Sequence, residues 1–158
     1  PFWIDIENWP LSWEIGGTAW FPFIESIHVI AATFVVGSIL MVDLRLLGLA
    51  ATRYSITTLS KELVPWSWGA FVLATITGLG MFITRAASHV VNPAFQWKMG
   101  LLLLVGVNMA YFHFRVYKNI EQWDTSATTP RQLKVIGSLS LFTWAGVMLA
   151  GRWIGHII

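Results

Sequence analysis

The class of fold follows from one stretch near the amino terminus, Ser26-Ile-His-Val-Ile-Ala-Ala-Thr-Phe-Val-Val-Gly-Ser-Ile-Leu-Met-Val42. No Asp, Glu, Lys or Arg interrupts it, and with its flanking turns it reaches the roughly 20 residues that a helix needs to cross hydrocarbon. His28 is the single titratable side chain within it. An ionisable group inside such a span is costly to bury and indicates function. The stretch therefore predicts a membrane-spanning helix that carries a functional histidine.

Three further uncharged apolar runs follow this one and resemble it in length. They are Leu63–Thr84, Met99–Phe114 and Val135–Gly151. Of the 158 residues, 56% are hydrophobic and 11% are charged, against roughly 25% charged in soluble domains. We expect an all-α integral membrane protein, a four-helix bundle whose connections, residues 51–62, 88–96 and 119–130, are short turns. Four spans use most of the chain, which leaves no room for a soluble catalytic domain.

Residues 1–22 precede the bundle and differ from it in composition. They are acidic and hold Trp3, Trp9, Trp13 and Trp20, and indole rings favour the boundary between lipid and water. We predict an interfacial segment over residues 1–22 and a transmembrane domain over residues 23–158. A soluble amphipathic arm is the alternative for the first segment.

The basic residues divide unequally between the two ends of the predicted spans. One end holds Arg45, Arg53, Lys61, Arg115, Lys118, Arg131 and Lys134, and the other holds Arg85, Lys98 and Arg152. Because cytoplasmic loops retain Lys and Arg, the first end is predicted to be cytoplasmic. Both termini then face outward, into the periplasm if the membrane is a bacterial inner membrane.

A weak internal repeat relates the two halves of the chain. His28 precedes Arg45, and Lys98 precedes Arg115, by the same interval, and the second and fourth spans are predicted to end in Arg85-x-x-x-His89 and Arg152-x-x-x-His156. Residues four apart share a helix face. The repeat predicts a pseudo-two-fold pair of hairpins that gathers these groups at the outer end.

The outer cluster can hold a haem b. Without cysteine, histidine is the natural ligand for iron, so His28, His89 and His156 are the candidate haem and metal ligands. Arg85, Lys98 and Arg152 would pair with the haem propionates, and Trp97, Trp153 and Phe82 would wall the ring. Which two imidazoles share the iron stays open. A copper or zinc site on the same histidines, and a cluster bonded only to lipid headgroups, are the alternatives.

Short motifs resemble a known superfamily. Glu25-Ser-Ile-His-Val-Ile, Val42-Asp-Leu-Arg-Leu-Leu-Gly48, Trp97-Lys98 and Tyr111-Phe-His113 are similar to segments of the four-helix superfamily of HemJ-type protoporphyrinogen oxidases and CopD copper-resistance proteins, and are closest to an uncharacterised bacterial branch. For the HemJ type the resemblance implies haem b on His28 and an important Lys98. His89 and His156 depart from the HemJ pattern and favour a bis-histidine haem over porphyrinogen oxidation.

These observations predict a haem b membrane subunit that transfers electrons near the periplasmic face, with redox subunits or a quinone as partners. A copper transporter that also uses Met81 and Met148, a structural accessory subunit and a HemJ-like enzyme are the alternatives. The small net charge argues against nucleic acid as a partner, and phosphate-loop and hydrolase motifs are absent from the sequence. Asp43 and Arg45 are interpreted as a structural pair at the interface, without chemistry.

Overall fold

The computed structural model describes residues 2–49, 55–112 and 131–157, and their side chains except those of residues 57, 60 and 155–157. Within these ranges the chain forms helices and no strands. The helices are α1 (Phe2–Glu7), α2 (Pro10–Gly16), α3 (Trp20–Leu46), α4 (Ile56–Ile83), α5 (Ala86–Val91), α6 (Pro93–Tyr111) and α7 (Arg131–Ile157). The prediction of an all-α fold is confirmed for the part that the structure describes.

Three of the helices are long and apolar enough to cross a membrane: Trp20–Leu46, Lys61–Ile83 and Arg131–Ile154. Large apolar side chains on these helices point outward, including Ile30, Ile76 and Phe142, which are 69%, 62% and 76% exposed. Outward apolar faces of this extent are expected where lipid surrounds the protein. The protein is therefore a membrane protein. The fourth predicted span corresponds to α6, which has 19 residues.

Local sequence explains where these long helices begin and end. Gly48, at φ 73°, follows α3, and its amide donates to the Arg45 carbonyl, as a glycine does when it closes a helix. The Ser55 hydroxyl accepts from the Thr58 amide at the start of α4. Asn92 caps α6 through the amides of Ala94 and Phe95, and Pro93 occupies the first turn, where its missing N–H costs nothing.

Two predicted turns are largely helical. Helix α4 already begins at Ile56, inside the predicted connection 51–62, and α5 with the start of α6 fills most of residues 88–96. The prediction failed because polar residues in the first turns of these helices resemble a loop. The third predicted connection, residues 119–130, lies outside the described residues.

The helices pack as two hairpins, α3 with α4 and α6 with α7, which meet chiefly through α3 and α7. A central cluster joins Val35 and Ile39 of α3 to Val105 of α6 and to Trp144 and Val147 of α7. A second cluster, at the opposite end from His28, consists of Leu46, Ile56, Leu133 and Ile136. Among the described residues, α4 and α6 approach each other less closely than the helices of either hairpin.

Candidate functional site at the His28 end of the bundle

His28 is held by α4 through one nitrogen of its ring. Its Nδ1 lies 2.8 Å from the Ala74 carbonyl oxygen and 3.0 Å from the Thr77 hydroxyl. A carbonyl only accepts, so Nδ1 carries the proton and donates. In the neutral ring the other nitrogen, Nε2, is then the one with a free lone pair. A histidine that binds a metal is usually fixed in this way.

Small residues of α4 allow this close approach. Ala70, Ala74 and Gly78 recur at every fourth position, and a Cβ added to Gly78 would lie 3.2 Å from Cε1 of His28. Ala70 packs against the central cluster. This small-residue face of α4 therefore packs against α3, and Gly78 provides the space for the imidazole.

His89 lies in the short helix α5, not at the end of α4. The predicted Arg85-x-x-x-His89 ending of the second span is wrong, because α4 ends at Ile83 and Arg85, at φ −145° and ψ 48°, separates the two helices. The Thr84 hydroxyl donates to the Met81 carbonyl at 2.7 Å, a local bond that competes with continued helix. Arg152 and residue 156, by contrast, both belong to α7.

The His89 ring is fixed in the same way as that of His28. Its Nδ1 donates to the Arg85 carbonyl at 2.8 Å, which again leaves Nε2 with the lone pair. The ring centroid lies 5.8 Å from that of Phe82 and 5.9 Å from that of Phe95. Phe82 and Phe95 stack at 5.4 Å, and Trp3 meets Phe82 edge-on. His89 thus sits in an aromatic cluster formed by α1, α4 and α6.

The two imidazoles lie at successive turns of one face of α4. His28 packs on Gly78 and His89 on Phe82, and residues four apart share a helix face about 6 Å apart. Lys98 of α6 is within electrostatic reach of both rings, and its aliphatic chain runs beside Gly151 of α7. The structure therefore brings His28, His89 and Lys98 together at one end of the bundle.

Burial lowers the pKa of His89 below its ordinary value of 6.5. The bond to the Arg85 carbonyl opposes this shift by favouring the charged ring, the positive charges of Arg85 and Lys98 add to it, and the carboxylate of Glu7 opposes it. Glu7 also accepts from the Ala87 amide at 2.9 Å, which ties α1 to α5. At neutral pH His89 is uncharged, as a metal ligand must be.

Of the remaining predicted site residues, two are exposed and the side chain of the third lies outside the described residues. Arg85 and Arg152 are exposed, where each can meet an anionic group at the surface. The side chain of His156 lies outside the described residues, and so does His113. Within the described ranges, the structure contains no group of three His, Cys, Asp or Glu residues that could hold a metal ion. The predicted cluster of the His28, His89 and His156 side chains is therefore still a prediction.

Trp97, Trp153 and Phe82, the aromatic residues predicted to surround the haem, do not form one cluster. Trp97 and Trp153 border an open groove of about 460 Å³ between α6 and α7, whose floor includes Ala94, Gly146 and Ala150. Phe82 instead belongs to the aromatic cluster around His89. Phe95, two residues before Trp97, is the aromatic residue that stacks on Phe82. Residues two apart lie about 200° apart around a helix, so Phe95 and Trp97 face different sides of α6.

Sequence reasoning misplaced Asp43 and Arg45. The interpretation of an interface pair is wrong, because Asp43 is 4% exposed and Arg45 is 0% exposed. Both lie inside the bundle at the opposite end from His28. The available signal was their position before the helix-ending Gly48, within the last turns of an apolar helix, where charged side chains are rare unless they have a role.

Comparison with known proteins gives a family but no activity. A family model described as "Family of unknown function (DUF6644)" matches residues 12–157. The chain belongs to DUF6644. The DUF6644 match includes α3 to α7 in full, and hence His28, His89 and Lys98, whereas α1 precedes it. No curated protein and no solved structure matches the chain.

Proposed function

We propose that this DUF6644 protein is a haem b-binding membrane subunit that transfers electrons near the outer end of its bundle. The observation that carries the proposal is the pair of imidazoles on one face of α4, each with Nδ1 bonded to a backbone carbonyl. Because Nδ1 of each ring donates to a carbonyl, the lone pair that could bind iron lies on Nε2 of each ring. A b-type haem bound there would accept and release one electron.

The surrounding residues fit the needs of such a group. His28 and His89 are candidate axial ligands, with His156 as the alternative second ligand. Lys98, close to both rings, supplies positive charge for a propionate, and exposed Arg85 and Arg152 can do so nearer the surface. Phe82 and Phe95 contact the His89 ring, and these apolar rings would shield one side of it from water.

The membrane arrangement belongs to the same proposal. We take α6 as a fourth span, because it pairs with α7 and is predominantly apolar. The distribution of Lys and Arg supports a cytoplasmic location for the Asp43 end, with both termini in the periplasm of a bacterial inner membrane. An outer haem alone cannot carry an electron across the bilayer, so a redox subunit or quinone is the proposed partner.

Membership of the HemJ and CopD superfamily remains part of the proposal, supported by the motifs around His28 and Lys98. Copper binding is the competing function. The cations Lys98 and Arg85 near the imidazoles oppose a divalent metal, whereas they favour the anionic propionates of haem, and this difference favours haem.

The test is the absorption spectrum of protein purified in mild detergent from haem-replete cells, followed by pyridine extraction. We expect a Soret band, and its loss in His28→Ala. His89→Ala is expected to convert a six-coordinate spectrum to a five-coordinate one, with His156→Ala as the matched control. If His156→Ala produces that change instead, the assignment of His89 is refuted. Preparations with stoichiometric copper and no haem, or with neither, would refute the proposal as a whole.

A further inference from the structure

A second polar site lies at the opposite end of α3 from His28. Asp43 of α3 and Ser140 and Trp144 of α7 are 4%, 4% and 7% exposed. Among the described residues, Asp43 Oδ2, Ser140 Oγ and Trp144 Nε1 have no hydrogen-bond partner. A buried polar atom without a partner is costly, so three of them in one region indicate a ligand.

The three groups lie in one layer between α3 and α7. The helices touch closely there, because a Cβ on Gly137 would lie 3.0 Å from the Asp43 carbonyl oxygen. Ser140, one turn further along α7, lies beside the Asp43 carboxyl group. Trp144 follows after another turn and packs with Ile39 of α3, which is itself one turn from Asp43. Side chains of a helix lean toward its amino terminus, so the indole of Trp144 leans toward Ser140.

Among the residues that the structure describes, no cation acts on Asp43. Arg45 is two positions along α3, about 200° around the helix, and projects from another face. Lys134 and Arg131 of α7, and Lys61 and Glu62 of α4, are exposed. An ionised carboxylate without a facing cation is strongly disfavoured in an apolar interior, and it binds a proton instead.

The three unpartnered atoms also suit one water molecule. The indole N–H can only donate, the carboxyl oxygen accepts or carries a proton, and the hydroxyl can do either. A water molecule can accept from Trp144 and bond to Asp43 and Ser140, which satisfies all three groups.

We propose that Asp43, Ser140 and Trp144 form a buried proton-binding site, in which Asp43 is protonated at neutral pH and a water molecule joins its carboxyl group to Ser140 and Trp144. The site is about 22 Å along α3 from His28. It does not depend on haem, and it gives the protein a place to hold a proton inside the bundle on the side opposite the imidazoles.

The experiment is infrared spectroscopy of full-length protein whose aspartates carry ¹³C in the carboxyl group, in a detergent without ester bonds. The chain has three aspartates, Asp5, Asp43 and Asp124, so the labelled carbonyl bands are few. At pH 7 we expect the band of an un-ionised carboxylic acid, shifted in D₂O, absent in Asp43→Asn and unchanged in Asp5→Asn, the matched exposed control.

Ser140→Ala and Trp144→Phe keep Asp43 and remove one partner of the water molecule. We expect the acid band to persist in both variants at a shifted frequency. A labelled wild-type protein that shows only ionised carboxylate at pH 7 overturns the proposal, even if Asp43→Asn does not fold. An acid band that survives in Asp43→Asn also overturns it, and a band unmoved in both partner variants refutes the water bridge.

Discussion

The close contact between His28 and Gly78 makes a sharp prediction about a single methyl group. Gly78→Ala places a Cβ 3.2 Å from Cε1 and 3.6 Å from Nδ1 of His28, whereas Gly69→Ala, on the same helix, meets nothing within 4 Å. Carbon atoms pack best at about 3.5–4.0 Å. The ring must therefore retreat in the first variant and not in the second.

The expected magnitude is a difference between two opposing effects. Each substitution gains about 0.8–1.0 kcal/mol of helix propensity. In Gly78→Ala, retreat of the ring stretches the bonds from Nδ1, now 2.8 and 3.0 Å, and each net bond is worth about 0.5–1.5 kcal/mol. We expect Gly69→Ala to be stabilised and Gly78→Ala to be about 1–2 kcal/mol less stable than Gly69→Ala.

Two measurements check this. Thermal unfolding in detergent, followed by tryptophan fluorescence, compares the variants, and ¹⁵N NMR of histidine distinguishes protonated from bare ring nitrogens. In the wild-type protein Nδ1 of His28 should carry the proton, and Gly78→Ala should alter its signal while Gly69→Ala should not. Equal stability of the two variants with an unchanged His28 signal would show that α4 does not fix the imidazole. In protein with haem bound, Gly78→Ala should weaken retention by about 10–100-fold.

Three other predictions test the packing and the electrostatics. Gly137→Ala adds a Cβ 3.0 Å from a backbone oxygen of α3 and should destabilise the protein by about 1–3 kcal/mol. Gly106→Ala, with open space around it, should not destabilise it, so equal midpoints of the two variants in thermal unfolding would contradict the prediction. Because the pKa of His89 is lowered on folding, the unfolded state binds more protons than the folded state below pH 6.5. The free energy of unfolding should therefore fall as the pH drops from about 7 to about 5, and it should fall less steeply in His89→Gln. Parallel pH profiles of the two proteins would argue against a buried neutral ring. Asn92→Ala loses the cap of α6 and a bond from Nδ2 to the Ile154 carbonyl of α7 and should lower stability by about 1 kcal/mol, whereas Gln96→Ala, which removes a single exposed bond, should have little effect.

The sequence was sufficient for the long apolar helices. The uncharged run around His28 predicted a membrane-spanning helix, which the structure has as α3. The hairpin arrangement inferred from the repeat agrees with the pairing of α3 with α4 and of α6 with α7. Length and hydrophobicity are strong signals because the membrane fixes both.

Helix rotation and local breaks were not predictable from the same signals. When every face of a helix is apolar, periodicity does not tell which side faces a neighbour, so the bond from His28 to Ala74 could not be foreseen. The helix break at Thr84–Arg85 depends on a hydrogen bond from the Thr84 hydroxyl to the Met81 carbonyl. A polar residue near a helix end does not by itself predict such a bond. Asp43 was misread for a related reason, because the burial of α3 against α7 at Gly137 is a tertiary contact.

The pairing of sequence neighbours bears on how the chain enters a bilayer. Helices α3 and α4 can associate as soon as both have been synthesised, and α6 and α7 can do the same, because each pair is adjacent in the chain. The contact of Gly137 with the Asp43 turn then closes last and joins two preassembled halves. Substitutions at the contact between Gly137 and Asp43 should allow each hairpin to insert into the membrane but should weaken the association of the two hairpins. The separated hairpins would then become targets for membrane quality control.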